Sequence, residues 1–166
     1  MINILMKTTL GEIKLALDES AAPKTVANFL RYVDEGFYNG TVFHRVIQGF
    51  MIQGGGFTAD LTQKPTHEPV PNEAANGLKN VKYAIAMART PEIHSATAQF
   101  FINTADNDFL DFRAPNPSAY GYAVFGRVTA GFDAVDAIEA VATGTAGWMA
   151  DVPNTPVVIE SVTRLA

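Results

Sequence analysis

Residues 43–57 read FHRVIQGFMIQGGGF, a segment that combines a cation, amides and large apolar side chains and is broken by glycine. If the first half is extended, alternation places Arg45 on the same side as Phe43 and Ile47. Gly49 then allows a bend that turns both halves towards a common cleft. A guanidinium between apolar groups indicates either an ion pair with a carboxylate or a functional role, because desolvating an unpaired charge is unfavourable.

A second stretch has the same mixed character. Gln99–Asn103 reads as a strand with Gln99, Phe101 and Asn103 on one side. In the first segment, alternation likewise puts Met51 and Gln53 on one face. Each of the two segments therefore has one face that carries both an amide and a large apolar side chain.

Four motifs follow one another along the chain. They are FHRxIxGFMxQGG at 43–55, AMA at 86–88, QFFI at 99–102 and VFGRV at 124–128. In this order they resemble the cyclophilin family of peptidyl-prolyl cis–trans isomerases, and most of all its single-domain bacterial type. The resemblance runs over nearly the whole chain, so we expect one domain over residues 1–166.

Periodicity predicts many short strands and only two helices, which is typical of an all-β barrel or sandwich. The resemblance sharpens this to a closed eight-stranded antiparallel β-barrel capped at each end by an α-helix. The helices are predicted at 23–35, where an apolar stripe follows Pro23, and at 132–141. Strands are predicted at 2–6, 11–18, around Phe43, 81–88, 99–103, 122–128 and 157–165, and loops at 54–80 and 144–153.

Composition narrows the function. The 166 residues are 48% hydrophobic, enough for a full core, and their net charge of −5 argues against a nucleic-acid surface. No stretch reaches the roughly 20 apolar residues that cross a bilayer, so no membrane partner is expected. The start of the chain lacks the features of a signal peptide, which predicts a cytoplasmic protein. There are no cysteines, so disulfides and thiolate chemistry are excluded. We also expect the protein to be a monomer.

The resemblance assigns roles to eleven positions. It implies that Arg45 and Gln53 are catalytic, and that Phe50, Met51, Phe101 and Leu110 grip a proline ring. Backbone pairing with the substrate is implied at Ala88 and Arg89, with Gln99 beside that groove. The remaining substrate-binding positions are Phe109 and Tyr122, where the best-known eukaryotic pattern has tryptophan and histidine.

Those two departures affect inhibitor binding more than catalysis. Phe109 retains an apolar wall, so isomerisation is expected to persist. The missing indole N–H removes a hydrogen-bond donor, so we predict weakened cyclosporin binding. The segment 113–121 is longer than in that pattern and alters the rim of the site. Trp148 lies in a later predicted loop and is not expected to replace the missing indole.

The implied reaction is rotation about X-Pro bonds in proline-containing polypeptides. No covalent bond forms or breaks, so neither a cofactor nor a metal is expected. The same groove also fits a chaperone or scaffold that holds proline-containing peptides with incidental catalysis. A serine hydrolase using His44 is a third alternative, but no Gly-x-Ser-x-Gly motif is present.

The glycine triplet and the three histidines are predicted to have structural rather than catalytic roles. Gly54–Gly56 lacks the spacing of a phosphate-binding loop, so we expect close backbone approach there rather than nucleotide binding. His44 is predicted to be a structural histidine with satisfied hydrogen bonds, on the face opposite Arg45. His67 and His94 are predicted in solvated loops, without the spacing of metal ligands.

Overall fold

A computed structural model describes residues 1–165, which form a mostly antiparallel β structure with two α-helices. The helices are α1 (Pro23–Asp34) and α2 (Phe132–Glu139), and short 3-10 turns lie at Ala74–Asn76 and Asp108–Leu110. The strands in this part of the chain are β1 (Ile2–Thr8), β2 (Gly11–Leu17), β3 (Arg45–Ile47), β4 (Met51–Gly54), β5 (Ala84–Met87), β6 (Phe100–Asn103), β7 (Val124–Ala130), β8 (Thr143–Ala146), β9 (Met149–Pro153) and β10 (Ile159–Arg164).

Eight strands form one sheet in the order β10-β1-β2-β7-β5-β6-β4-β3, and every pair is antiparallel. The edge strands β10 and β3 do not pair along their length. Instead, residues 40–43 meet residues 157–159, through a bridge between Val42 and Val158 and hydrogen bonds from Ile159 N to Thr41 O at 2.7 Å and from Phe43 N to Val157 O at 3.0 Å. The expected closed barrel is therefore an open one, because no continuous ladder joins its edges.

Both helices pack their apolar stripes on the sheet. Phe29 of α1 is fully buried, with its ring 5.8 Å from Phe100 and 5.2 Å from Phe125. Val135 and Ile138 of α2 are also fully buried, and that helix contacts β2, β3 and β4. The helices thus cover different parts of the sheet, as a capped barrel requires. Both lie where the sequence predicts them, although α2 ends two residues early.

The largest departure from the predicted elements lies between 143 and 153. This segment is a separate hairpin of β8 and β9, with its turn at Gly147 and Trp148, rather than a loop. Its β9 strand packs beside β3, which carries Arg45. No helix within residues 1–165 is long and apolar enough to cross a membrane.

Candidate active site

A row of side chains crosses four strands on the outer face of the sheet. The register pairs Arg45 of β3 with Gln53 of β4, Gln53 with Phe101 of β6, and Phe101 with Ala86 of β5. Directly opposed residues of antiparallel strands project to the same side. The alternating residues Val46, Ile52, Ile85 and Ile102 are buried in the main core. Strand alternation alone therefore separates the core face from the face that carries the candidate site.

A second apolar cluster lies on this outer face. Met51, Phe101, Leu110 and Val124 pack there over the small side chains of β5. Ala84 and Ala86 are 2% and 0% exposed, so the alanine face of this strand serves tight internal packing. Ala88, the next alanine on the face, is only partly buried.

The cluster surrounds a cavity of about 140 Å³ that opens to solvent. Nine of the eleven predicted site residues line it: Arg45, Phe50, Met51, Gln53, Ala88, Arg89, Phe101, Leu110 and Tyr122. Five of these residues are apolar, and the polar ones are Arg45, Gln53, Arg89 and Tyr122. The cavity can thus hold a small apolar ring while a cation and an amide face its edge.

Arg45 is exposed, which differs from the apolar surroundings that we expected. Phe43 precedes β3 and is fully buried in the main core, so it forms no wall beside the guanidinium. The alternative of an ion pair is also wrong, since no carboxylate of residues 1–165 pairs with Arg45. Its closest polar contact is a long hydrogen bond of 3.4 Å from Nη1 to Oε1 of Gln53. The cation therefore remains available to a ligand in the cavity.

Gln99 lies behind the cavity rather than in its wall. Its Oε1 accepts a 3.0 Å hydrogen bond from Nε2 of Gln53, which orients the Gln53 carbonyl oxygen towards Arg45. A Cβ on Gly56 would come within 2.5 Å of the Gln99 side chain, and Gly55 has φ +88°. The glycine triplet thus allows close approach, as predicted, and gives Gln99 its place.

Phe109 is the other predicted residue outside the cavity. Its side chain is 58% exposed and stacks on Phe50 with ring centroids 5.7 Å apart. On the opposite side, the ring of Tyr122 meets Phe101 edge-on at 5.7 Å. Phe109 therefore supports a wall of the cavity from the rim without reaching into it.

The Arg89 side chain ties two rim loops together. Its Nε donates to Gly121 O at 2.9 Å, Nη1 to Thr90 O at 2.9 Å, and Nη2 to Pro117 O at 3.2 Å. The guanidinium lies 4.8 Å from the centre of the Tyr122 ring. The sequence predicted only a backbone role at Arg89, so this bridging was missed.

A network of buried amides supports the cavity and was also missed. Asn107 Nδ2 donates at 2.8 Å both to Phe50 O and to Asn103 Oδ1. Asn103 Nδ2 donates at 3.1 Å to Asn80 Oδ1, and Asn80 Nδ2 donates at 3.2 Å to Leu110 O. The network fixes the backbone of two walls, Phe50 and Leu110. Asparagine is frequent in surface turns, so its presence in the sequence gave no signal of burial.

The hydrogen bonding and exposure of the three histidines differ in part from what the sequence predicted. His44 is 7% exposed, but its buried Nδ1 has no hydrogen-bond partner in the described chain, so it is not satisfied. Burial and, second, the charge of Arg45 lower the pKa of His44 from 6.5 to about 4. His67 is partly buried, with Nε2 2.6 Å from Glu35 Oε1, and is not simply solvated. His94 is exposed and accepts from the backbone N–H of Asn72 at 2.9 Å.

Within residues 1–165 no group of three or more His, Asp or Glu side chains forms a metal-binding cluster. The polar residues that line the cavity carry two guanidinium groups, an amide and a phenol. None of them is a nucleophile activated by a neighbouring base. This arrangement can hold a ligand and donate hydrogen bonds, which is sufficient for a reaction that rotates a bond.

Comparison with known proteins agrees with this geometry. The chain is 58% identical over 161 residues to peptidyl-prolyl cis-trans isomerase cyp18 of Streptomyces antibioticus, covering 97% of each chain. It is 56% identical over 160 residues to peptidyl-prolyl cis-trans isomerase B of Escherichia coli K12, covering 96% of this chain and 98% of the relative.

Solved structures give the same result. A crystal structure of a Cryptosporidium parvum cyclophilin-type isomerase, determined in the presence of the dipeptide Ala-Pro, matches with a TM-score of 0.77, 25% identity and 99% coverage of both chains. The family model described as "Cyclophilin type peptidyl-prolyl cis-trans isomerase/CLD" matches residues 3–164. The chain therefore belongs to the cyclophilin-type peptidyl-prolyl cis-trans isomerase family.

Proposed function

We propose that this protein catalyses cis–trans isomerisation of X-Pro peptide bonds in unfolded or flexible polypeptides, with Arg45 as the catalytic cation. The observation that carries the proposal is the Arg45 guanidinium, which has no carboxylate partner among residues 1–165, at the edge of a small cavity with partly apolar walls. Family membership supports the reaction itself, and the residues that line the cavity support the roles assigned to them.

The mechanism follows from the electronic structure of the amide. Rotation about the C–N bond has a barrier of about 18–20 kcal/mol because it breaks amide resonance. In the twisted state the proline nitrogen regains its lone pair and becomes a better hydrogen-bond acceptor. A donor aimed at that nitrogen stabilises the transition state more than the ground state, which is the requirement for catalysis.

Arg45 suits this role because a guanidinium stays charged at every physiological pH. Although the side chain is exposed, a peptide lying across the cavity would displace water from it and strengthen the interaction. The long 3.4 Å contact to Gln53 orients the guanidinium without neutralising it. Gln99 holds Gln53 in turn, so Gln99 is a positioning residue in this mechanism.

The cavity walls would hold the proline ring while the carbonyl side of the bond turns. We assign this grip to Phe50, Met51, Phe101 and Leu110, with Phe109 and Tyr122 at the rim. Backbone pairing with the residues before proline is assigned to Ala88 and Arg89. The Ala88 N–H already donates to Gln99 O at 3.0 Å, so that pairing would use the remaining backbone groups of this segment.

A protease-coupled isomerisation assay on an Ala-Pro tetrapeptide tests the proposal. Arg45→Ala is expected to lower kcat/KM about 100-fold, the effect typical of removing one transition-state donor. Arg127→Ala is the matched control, because Arg127 is another exposed strand arginine and lies outside this cavity. Equal rates for the wild type and Arg45→Ala would contradict the proposal.

The alternative is a chaperone that holds proline-containing peptides and catalyses only incidentally. Arg45, which forms no ion pair within the described part of the chain, favours the enzyme, since a binding groove has less need of a donor at the nitrogen that pyramidalises. An isomerisation rate near background together with tight peptide binding would favour the chaperone instead.

Several finer properties belong to the same proposal. We propose that residues 1–166 act as one domain, because one sheet contains strands from both ends of the described chain. Weak cyclosporin binding is supported by the phenylalanine at position 109, which offers no N–H donor. Three further proposals rest on the sequence alone. Ultracentrifugation tests whether the protein is a monomer, cell fractionation tests whether it is cytoplasmic, and filter binding tests whether it fails to bind nucleic acid.

A further inference from the structure

A second cavity lies on the other side of Arg45. It has a volume of about 280 Å³, twice that of the proline-sized cavity, and shares only Arg45 with it. Its lining comes from the β3 segment, from Phe57 and from the β8–β9 hairpin: His44, Arg45, Phe57, Trp148, Met149, Ala150 and Asp151. The two cavities are therefore neighbours joined by one side chain.

The floor of the second cavity is apolar and well packed. Phe57 and Met149 are 8% and 9% exposed and belong to a third apolar cluster with Val42 and Val152. The ring of His44 packs 4.5 Å from that of Phe57. These contacts give the cavity a fixed base that exists without a ligand.

Its wall, in contrast, contains an aromatic side chain that nothing covers. Trp148 is 85% exposed at the turn of the hairpin, next to Gly147, and it is the only tryptophan of the chain. Tryptophan is one of the residue types enriched among side chains that dominate binding energy. Together with the apolar floor beside it, this indole offers a continuous apolar surface for a ligand.

We propose that this second cavity is a subsite for a large apolar side chain of the same polypeptide that presents the proline. The inference rests on the proposed function, since the occupant is identified by continuity with the proline-sized cavity through Arg45. An extended chain advances about 3.3–3.6 Å per residue, so about two to four residues span one arginine side chain. The occupant therefore belongs to the residues that flank the proline, such as leucine or methionine at that spacing.

The subsite would determine which polypeptides bind and would take no part in the isomerisation step. Covering the indole and filling the apolar floor removes apolar surface from water, which lowers KM for polypeptides with a correctly placed apolar residue. Short Ala-Pro peptides would leave the subsite empty. The protein would then favour apolar segments, which are the segments that unfolded chains expose.

Trp148 provides its own reporter, because excitation near 295 nm detects only this residue. The probes are Ala-Pro peptides with one leucine placed two, three or four residues before or after the proline, compared with an all-alanine peptide of equal length. At one or more positions, leucine is expected to shift the emission to the blue and lower KM about fivefold. The all-alanine peptide is expected to be isomerised without an emission shift.

Variants separate a direct contact from a structural effect. Trp148→Ala is expected to bring the KM of the leucine peptide to that of the alanine peptide, and Trp148→Phe to keep most of the difference. Leu10→Ala is the control, because Leu10 is an exposed apolar residue outside this cavity, and it should keep the full difference.

Three results would overturn the subsite. The first is that leucine changes neither emission nor KM at any position. The second is that the all-alanine peptide shifts the emission equally. The third is that Trp148→Ala leaves the ratio of the KM values of the alanine and leucine peptides unchanged. In each case turnover of the alanine peptide would still support the proposed isomerase. Loss of Arg45-dependent turnover, by contrast, would remove the proposed function itself.

Discussion

Lowering the pH should destabilise this protein through His44. The side chain is 7% exposed, packs against Phe57 and lies next to Arg45, and its Nδ1 has no hydrogen-bond partner in the described chain. Burial and then the positive charge of Arg45 disfavour the imidazolium, so the pKa falls from 6.5 to about 4. The folded protein therefore keeps His44 neutral at a pH where the unfolded chain protonates it.

The sign follows from proton linkage. Below the unfolded pKa of 6.5 the unfolded state binds a proton that the folded state refuses, so stability is present above this pH and is lost as the pH falls towards about 4. Each pH unit of difference corresponds to about 1.4 kcal/mol, which gives about 3 kcal/mol for the whole interval. Between about pH 7.5 and about pH 5, before most carboxylates titrate, the expected loss is about 2 kcal/mol.

Urea unfolding at these two pH values measures the effect. The wild type should lose about 2 kcal/mol more than His44→Gln, because glutamine cannot titrate. His67→Gln is the control: His67 is partly exposed beside Glu35, and its variant should keep the His44 contribution. If the wild type and His44→Gln lose the same free energy over this interval, the argument that His44 is held neutral is refuted.

Three other predictions concern the rim and support of the site. Asn107→Ala should destabilise the fold by about 2–3 kcal/mol in urea unfolding, because it breaks two hydrogen bonds and leaves a buried Asn103 oxygen unpaired, and an unchanged midpoint would contradict this. Arg89→Lys should loosen the loop that Arg89 holds through Pro117 O and Gly121 O, so trypsin should cleave after Arg113 about threefold to tenfold faster, and equal cleavage rates would oppose that role. Phe109→Trp should tighten cyclosporin about tenfold in an inhibition titration, by restoring an indole donor, and unchanged inhibition would exclude that explanation.

The hydrophobic periodicity and the family motifs together predicted most of the strands and helices that carry the site. Alternation in β3, β4 and β6 separated Arg45, Gln53 and Phe101 from the core residues between them, because the period of a strand is two. The apolar stripe after Pro23 likewise gave α1 to within one residue of its observed end. These features depend on local spacing, which the sequence contains directly.

What the sequence missed depends on contacts between distant segments. The open edge between β3 and β10 depends on the order of all eight strands in the sheet, which no single motif encodes. Arg45 is exposed while Phe43 lies in the core just before the strand begins, so the alternation expected from 43 to 47 does not hold. The carbonyls that bind Arg89 come from loops up to 32 residues away.

In the proposed mechanism Arg45 stabilises the twisted amide more than the bound ground state. Exchange NMR on a proline peptide at saturating protein measures the rate at which bound cis and trans forms interconvert, and a titration of the same sample measures Kd. For Arg45→Ala we predict an interconversion rate about 100-fold lower with Kd changed less than about tenfold. A variant that binds weakly but interconverts the bound peptide as fast as the wild type would contradict the account.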